Sequence, residues 1–118
     1  MKFKMNNHEW TIAELPKSEI KTIYEEETKT ETIIVYGITK FDTHEIFINE
    51  EMCFDMKRKT LMHELMHCYI EEHISLSLEE FDDEMVCNIS ANSHDIIHKI
   101  VEDYFKEVLY DTRIFKNN

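Results

Sequence analysis

The chain has 118 residues, of which 42% are apolar and 11% aromatic, values typical of a globular protein and not of a disordered one. This length predicts one domain, residues 1–118, with a single modest core. The 13 basic and 25 acidic side chains give a net charge of −12, which argues against nucleic-acid binding because no cationic surface is available for phosphates.

The sequence contains neither a membrane span nor the apolar core of a signal peptide at residues 1–7. Its three cysteines, Cys53, Cys68 and Cys87, are an odd number without the spacing of a disulfide framework. We therefore expect reduced thiols and a cytoplasmic protein that does not associate with membranes.

The first part of the chain predicts one strand and one short helix. Residues 8–13 form a β-prone run that ends before Pro16. Apolar residues then recur at helical spacing, which predicts a helix over about residues 17–27.

A hairpin is predicted next. Residues 32–36 are β-branched and aromatic and indicate a strand, with Gly37 interrupting it as a bulge. Residues 41–44 indicate a turn, and residues 45–49 a second strand. Together with the first strand, this antiparallel pair predicts a small sheet of about three strands.

A long central helix over residues 54–73 follows, with Asp55 as the expected N-cap. Its expected buried face consists of Leu61, Met62, Leu65, Met66 and Tyr69.

Residues 75–78 are predicted to connect to two further helices, over about residues 79–92 and 94–110. The last helix has a strong apolar side, made of Ile97, Ile100, Val101, Tyr104, Phe105, Val108 and Leu109. The predicted fold class is therefore α+β, with a small sheet packed against the central helix and two or three others.

One motif in the central helix carries chemistry: residues 63–67 read His-Glu-Leu-Met-His. Two histidines four residues apart lie one turn apart on one helix face, where a single Zn²⁺ can take both. Glu64 beside them fits a base that takes a proton from water and gives it to a leaving amine. The simpler alternative is a pair of histidines at the surface or the edge of the core.

A catalytic zinc site needs a third protein ligand, and His73 is one candidate. It completes the metzincin spacing, in which a glycine stands at the position of Ile70 so that the helix can stop and turn. Isoleucine is a poor residue for a sharp break. Without that break, His73 lies away from the face that carries His63 and His67.

The second candidate is Glu84, which shares a helix face with Asn88 and Ala91. The competing interpretation is a solvated acidic first turn that the helix dipole favours. Neither Cys68, which points off the histidine face, nor Cys87, which we expect to be packed, is a predicted ligand.

Residues 61–67, followed by Glu84, Cys87-Asn88 and Ala91, resemble the ImmA/IrrE family of small gluzincin metallopeptidases, in particular its short phage and mobile-element members. The usual Ala-Asn pair of that family appears here as Cys87-Asn88. The segments 36–39 and 45–48 are similar to the strand pair that precedes the family's active-site helix.

The resemblance implies a zincin-like fold, a Zn²⁺ ion held by His63, His67 and Glu84, and Glu64 as the general base. It also implies a zinc-dependent endopeptidase that acts on a protein or peptide. In related zincins an edge strand binds the substrate, a role that we expect of the hairpin and in particular of residues 45–49.

The sequence leaves the oxyanion donor and an alternative function open. The oxyanion donor could be any of four residues on the last helix, namely His94, His98, Tyr104 and Tyr110. The alternative function is a zinc-containing binding or inhibitory module of a phage or mobile element, with little or no cleavage.

Overall fold

A computed structural model describes residues 1–32, 34–74 and 83–117, and the side chains of the last stretch only over residues 87–108. The predicted connector over residues 75–78 and the beginning of the helix predicted at 79–92 lie outside this description. The chain divides into two compact units, Lys2–Ser75 and Leu76–Asn118 with Met1. The prediction of one domain stays a prediction.

The first unit is α+β. It contains strand β1 (Lys2–Met5), strand β2 (His8–Leu15), helix α1 (Lys17–Thr28), strand β3 (Gly37–Lys40), strand β4 (Glu45–Asn49) and helix α2 (Phe54–His73). The strands form one mixed sheet in the order β1-β2-β4-β3, in which β2 and β4 are parallel and the other neighbours antiparallel. The strand predicted at residues 8–13, the helix at 17–27 and the turn at 41–44 are confirmed. A zincin-like arrangement stays a prediction.

The prediction of an antiparallel sheet of about three strands is wrong on two points. Strands β2 and β4 are parallel, and residues 2–5 add a fourth strand. Asn6 and Asn7 both have positive φ, at 50° and 67°, which is the conformation of a two-residue hairpin turn. Met5 therefore pairs with His8, and β1 continues the sheet beyond β2. The Asn-Asn pair between two alternating stretches was the available signal.

The strand predicted at residues 32–36 is also wrong. Thr32 and residues 34–36 are not extended strand in the structure, and β3 begins at Gly37. Gly37 is thus no bulge but the first residue of an edge strand. Val35 leaves the sheet and is buried against Ile20 and Ile38, so burial of its side chain outweighs its β propensity.

Helix α2 covers one face of the sheet. The side chains on that face alternate along β2 and β4, because successive residues of a strand point to opposite sides. Lys57 of α2 also pairs with Glu14 of β2, with 2.6 Å between Nζ and Oε1. The fully buried apolar residues of this face are Trp10, Ile12, Ile46 and Ile48.

Helix α1 contributes to a second apolar cluster, on the opposite side of the strands. Ile20 is completely buried and packs with Val35, Ile38 and the partly buried Phe47. Ile38 and Phe47 are register partners in β3 and β4, so they share a face. The sheet is therefore covered by a helix on each side.

The central helix spans residues 54–73 as predicted, but its N-cap is Cys53 and not Asp55. Asp55 lies in the first turn, where a carboxylate complements the helix dipole. No break occurs at Ile70, whose carbonyl accepts the N–H of Ile74 at 3.0 Å.

The expected buried face of α2 is partly wrong. Leu61, Leu65 and Tyr69 are buried, but Met62 is 36% exposed. The buried stripe instead includes Thr60, Glu64 and Cys68, which follow one another at intervals of four residues. Polar residues therefore face the sheet, which a purely apolar pattern cannot predict.

The described residues of the second unit form one helix, α3 (Asp83–Asn117), so the predicted division into two helices near residue 93 is wrong. Ser93 is 2% exposed, and its hydroxyl donates to the carbonyl of Ser90 at 3.4 Å, which satisfies a polar side chain inside a helix. The predicted apolar side is confirmed for Ile97, Ile100, Val101, Tyr104 and Phe105. None of the described helices is long and apolar enough to cross a membrane.

The buried carboxylate of Glu72 connects α2 to the hairpin of β1 and β2 by hydrogen bonds. The Glu72 side chain is 3% exposed; its Oε1 accepts the indole N–H of Trp10 at 3.0 Å, and its Oε2 lies 2.5 Å from Nδ1 of His8. The side-chain amide of Asn6 donates to the Glu72 carbonyl at 2.8 Å. The indole of Trp10, which is completely buried, thus depends on this carboxylate for its hydrogen bond.

Replacing Glu72 with alanine should lower the free energy of unfolding by about 2–3 kcal/mol, because the buried N–H of Trp10 loses its acceptor. Urea unfolding followed by circular dichroism measures the change. Glu71→Ala is the matched control, since Glu71 is the exposed neighbour on the same helix, and its effect should stay within about 0.5 kcal/mol. Equal losses in the two variants would contradict the assignment.

Candidate metal centre

The two histidines of the motif face each other across one turn of α2. Their Nε2 atoms are 3.3 Å apart, and the ring planes are inclined by 79°. Two nitrogen ligands at about 2.05 Å from a tetrahedral Zn²⁺ are separated by about 3.3 Å. Both side chains are exposed. The spacing of His63 and His67 therefore fits a shared metal ion.

Glu64, between these histidines in sequence, faces the sheet and is only 7% exposed. Its Oε2 accepts a hydrogen bond of 2.8 Å from Oγ1 of Thr39, on the edge strand β3. The same hydroxyl lies 3.4 Å from the Glu64 carbonyl. The strand thus fixes the orientation of the carboxylate, which has a second oxygen available to accept a proton.

Gly37 permits this arrangement. A Cβ atom at that position would lie 2.7 Å from Cγ2 of Thr60 and 3.2 Å from Cγ of Glu64. Any other residue would push α2 away from β3 or displace the carboxylate. Sequence reasoning missed Gly37 and Thr39 as supporting residues. The available signal was the single glycine of the chain, two residues before a threonine in a strand.

His73 is not brought to the other histidines. It is the last residue of an unbroken helix, and ten residues of helix place it about 15 Å along the axis from His63. Its ring packs against Tyr69, with 4.6 Å between the ring centroids. The metzincin arrangement therefore does not form.

Across the side chains that the structure describes, no three or more histidine, cysteine, aspartate or glutamate residues form a group that could hold a metal ion. Glu84 lies in the first turn of α3, and its side chain falls outside the description. Its assignment as the third ligand stays a prediction. Cys87 is exposed, so its expected packing is wrong.

The predicted oxyanion donors all belong to α3. His94 and His98 are exposed, with their rings stacked at 5.8 Å. Tyr104 is 4% exposed, and the side chain of Tyr110 is outside the described residues. The choice among them stays open.

The assignment of residues 45–49 as the substrate-binding edge strand is wrong. Residues 45–49 form β4, which pairs with β2 on one side and with β3 on the other, so both of its edges are occupied. The two strands at the edges of the sheet are β1 and β3, and β3 is the one that holds Glu64 through Thr39. An edge strand offers unpaired N–H and C=O groups to an added chain.

A pocket of about 360 Å³ opens beside the motif. His63 and Glu64 form part of its wall, with Gly37 at the beginning of β3. The remaining wall is mainly apolar and includes Tyr24, Ile34, Val35 and Tyr36.

Cys68 follows the motif directly and is completely buried. Burial raises the pKa of its thiol, and the nearby carboxylates of Glu64 and Glu72 raise it further. The residue is therefore a neutral thiol at physiological pH and no thiolate ligand, which agrees with its rejection from sequence.

No family model, curated protein or solved structure matches the chain. The resemblance to the ImmA/IrrE family stays a prediction.

Thiol labelling should distinguish the cysteines. In the folded protein at neutral pH, Cys53 and Cys87 should react with a thiol reagent, because both are exposed, whereas Cys68 should react only after unfolding. Mass spectrometry of the labelled peptides, with and without guanidinium, measures this. Labelling of Cys68 at the rate of Cys53 in the folded protein would refute its burial.

Proposed function

We propose that this protein is a zinc-dependent peptidase of the HExxH gluzincin type, related to the ImmA/IrrE family, that cleaves a protein or peptide in the cytoplasm. The observation that carries the proposal is the pair of imidazole nitrogens 3.3 Å apart beside a carboxylate held by Thr39. The free cysteines agree with a reducing compartment. A zincin-like fold belongs to the same proposal.

His63, His67 and Glu84 would hold the ion. The spacing of the two histidines supports their part, and the family resemblance alone supports that of Glu84. Zn²⁺ bound there supplies Lewis-acid chemistry and lowers the pKa of water to near neutral.

Glu64 is the general base. It accepts a proton from the attacking water and later gives it to the leaving amine. The hydrogen bond from Thr39 restricts the carboxylate to one orientation, so little reorganisation is needed when the proton moves. Gly37 is a positioning residue, because it lets β3 approach close enough for that bond.

The substrate chain is proposed to lie along β3 as an added strand. The Tyr36 carbonyl accepts the N–H of Asn49 at 2.9 Å, so alternation of the antiparallel ladder directs the backbone groups of Gly37 and Thr39 to the outer edge. Both residues adjoin Glu64. A peptide on that edge would pass next to the general base.

Purified protein should contain about one zinc ion per chain, measured by atomic emission after dialysis, because HExxH sites bind one ion. His63→Ala and His67→Ala should each lose most of it. His73→Ala is the matched control, an exposed histidine on the same helix outside the pair, and should keep its zinc. Glu84→Ala should lose zinc if it is the third ligand. A wild-type protein without zinc would overturn the proposed function.

Glu64→Gln should keep its zinc and lose activity by about 10²–10⁴-fold in kcat, because an amide cannot accept the proton. Release of peptide fragments from a denatured protein substrate, followed by mass spectrometry, measures this. Glu71→Gln on the exposed side of the same helix is the control and should cleave normally. If Glu64→Gln binds and inhibits a partner as well as the wild type does, the alternative of a binding module is correct.

A further inference from the structure

The pocket beside Glu64 has ionisable side chains on one wall and mainly apolar side chains on the other. His63 and Glu64 stand on one side, and the chain before β3 supplies the other. Ile34 is 48% exposed and Tyr36 is 50% exposed, although both are large and apolar. Val35 between them is buried in the cluster around Ile20 and fixes this stretch to α1. Exposed apolar residues gathered at one opening mark a binding surface.

We propose that this pocket binds one large apolar side chain of the peptide substrate, at a residue next to the bond that is cleaved. The inference rests on the proposed function. A chain added along β3 points alternate side chains to the α2 side of the sheet, the side on which the pocket residues Thr60, His63 and Glu64 lie. Because Gly37 belongs both to β3 and to the pocket, one of those side chains enters beside Glu64.

Size and charge identify this side chain. A volume of about 360 Å³ lies within the range of ligand sites, which are about 300–1,000 Å³, so the pocket has room for the largest aromatic or aliphatic side chain. Lys59 lines the opening and has no ion-pair partner among the described residues. A lysine or arginine of the substrate would have to place its charge against the apolar wall, and a small side chain would leave that wall unfilled.

The test uses the zinc-loaded full chain and a mixed peptide library, in which mass spectrometry of the fragments identifies the residues around the cut. A fluorogenic series on the preferred sequence then carries phenylalanine, leucine, alanine, aspartate or lysine at the position beside the cut. The ratio of kcat/KM for phenylalanine to that for alanine should be about ten or more, and lysine should be poorest.

Tyr36→Ala and Ile34→Ala should each lower this ratio several-fold, with zinc content unchanged. Phe54→Ala is the matched control: Phe54 is 53% exposed, as accessible as Tyr36, and does not line the pocket. Its ratio should equal that of the wild type. Using two pocket variants keeps the test valid if one of them fails to fold.

The outcomes separate this inference from the proposed function. Cleavage without apolar preference, or a ratio unchanged by both pocket variants, overturns the inference and leaves the peptidase intact. If no peptide is cleaved, fluorescence anisotropy decides, with the wild-type chain and two labelled peptides of one arbitrary sequence that carry phenylalanine or alanine at the central position. If the phenylalanine peptide binds more tightly than the alanine peptide, the pocket binds an apolar side chain and only the peptidase function is overturned. Equal binding or no binding overturns both the inference and the proposed function.

Discussion

The structure depends on the close approach of α2 to the edge strand β3. Gly37 has no side chain, so the helix comes near enough for the hydroxyl of Thr39 to reach the carboxylate of Glu64. This contact turns a glutamate toward the sheet while the flanking His63 and His67 remain at the surface. The helix therefore presents two different surfaces within one turn, one fixed by packing and one open to a ligand.

Helix α2 carries two buried carboxylates, and each is satisfied by a donor from a strand. Thr39 donates to Glu64, and Trp10 donates to Glu72 two turns further along. A buried charge without such a partner costs several kcal/mol, so these bonds fix the position of the helix on the sheet at both points. Only the first of these carboxylates adjoins the histidine pair in sequence, so the proposed catalytic role falls to Glu64 and not to Glu72.

Much of the local structure follows from sequence pattern. The periodicity of residues 54–73 defines α2, and the turn at residues 41–44 defines the hairpin. The errors arise where tertiary contacts outweigh propensity. Residues 34–36 are β-prone but belong to no strand, and Val35 packs in the cluster around Ile20. The division predicted between residues 92 and 94 does not occur: α3 continues through Ser93, whose hydroxyl bonds within its own helix.

The sequence by itself determined that His63 and His67 share a helix face with Glu64 beside them, because helical spacing alone sets those positions. It also weakened the case for His73, since Ile70 does not break a helix. Only the tertiary structure decided which strand lies at the edge, and that Gly37 and Thr39 support the carboxylate. Strand order and close approach depend on contacts between residues far apart in sequence, which no local pattern encodes.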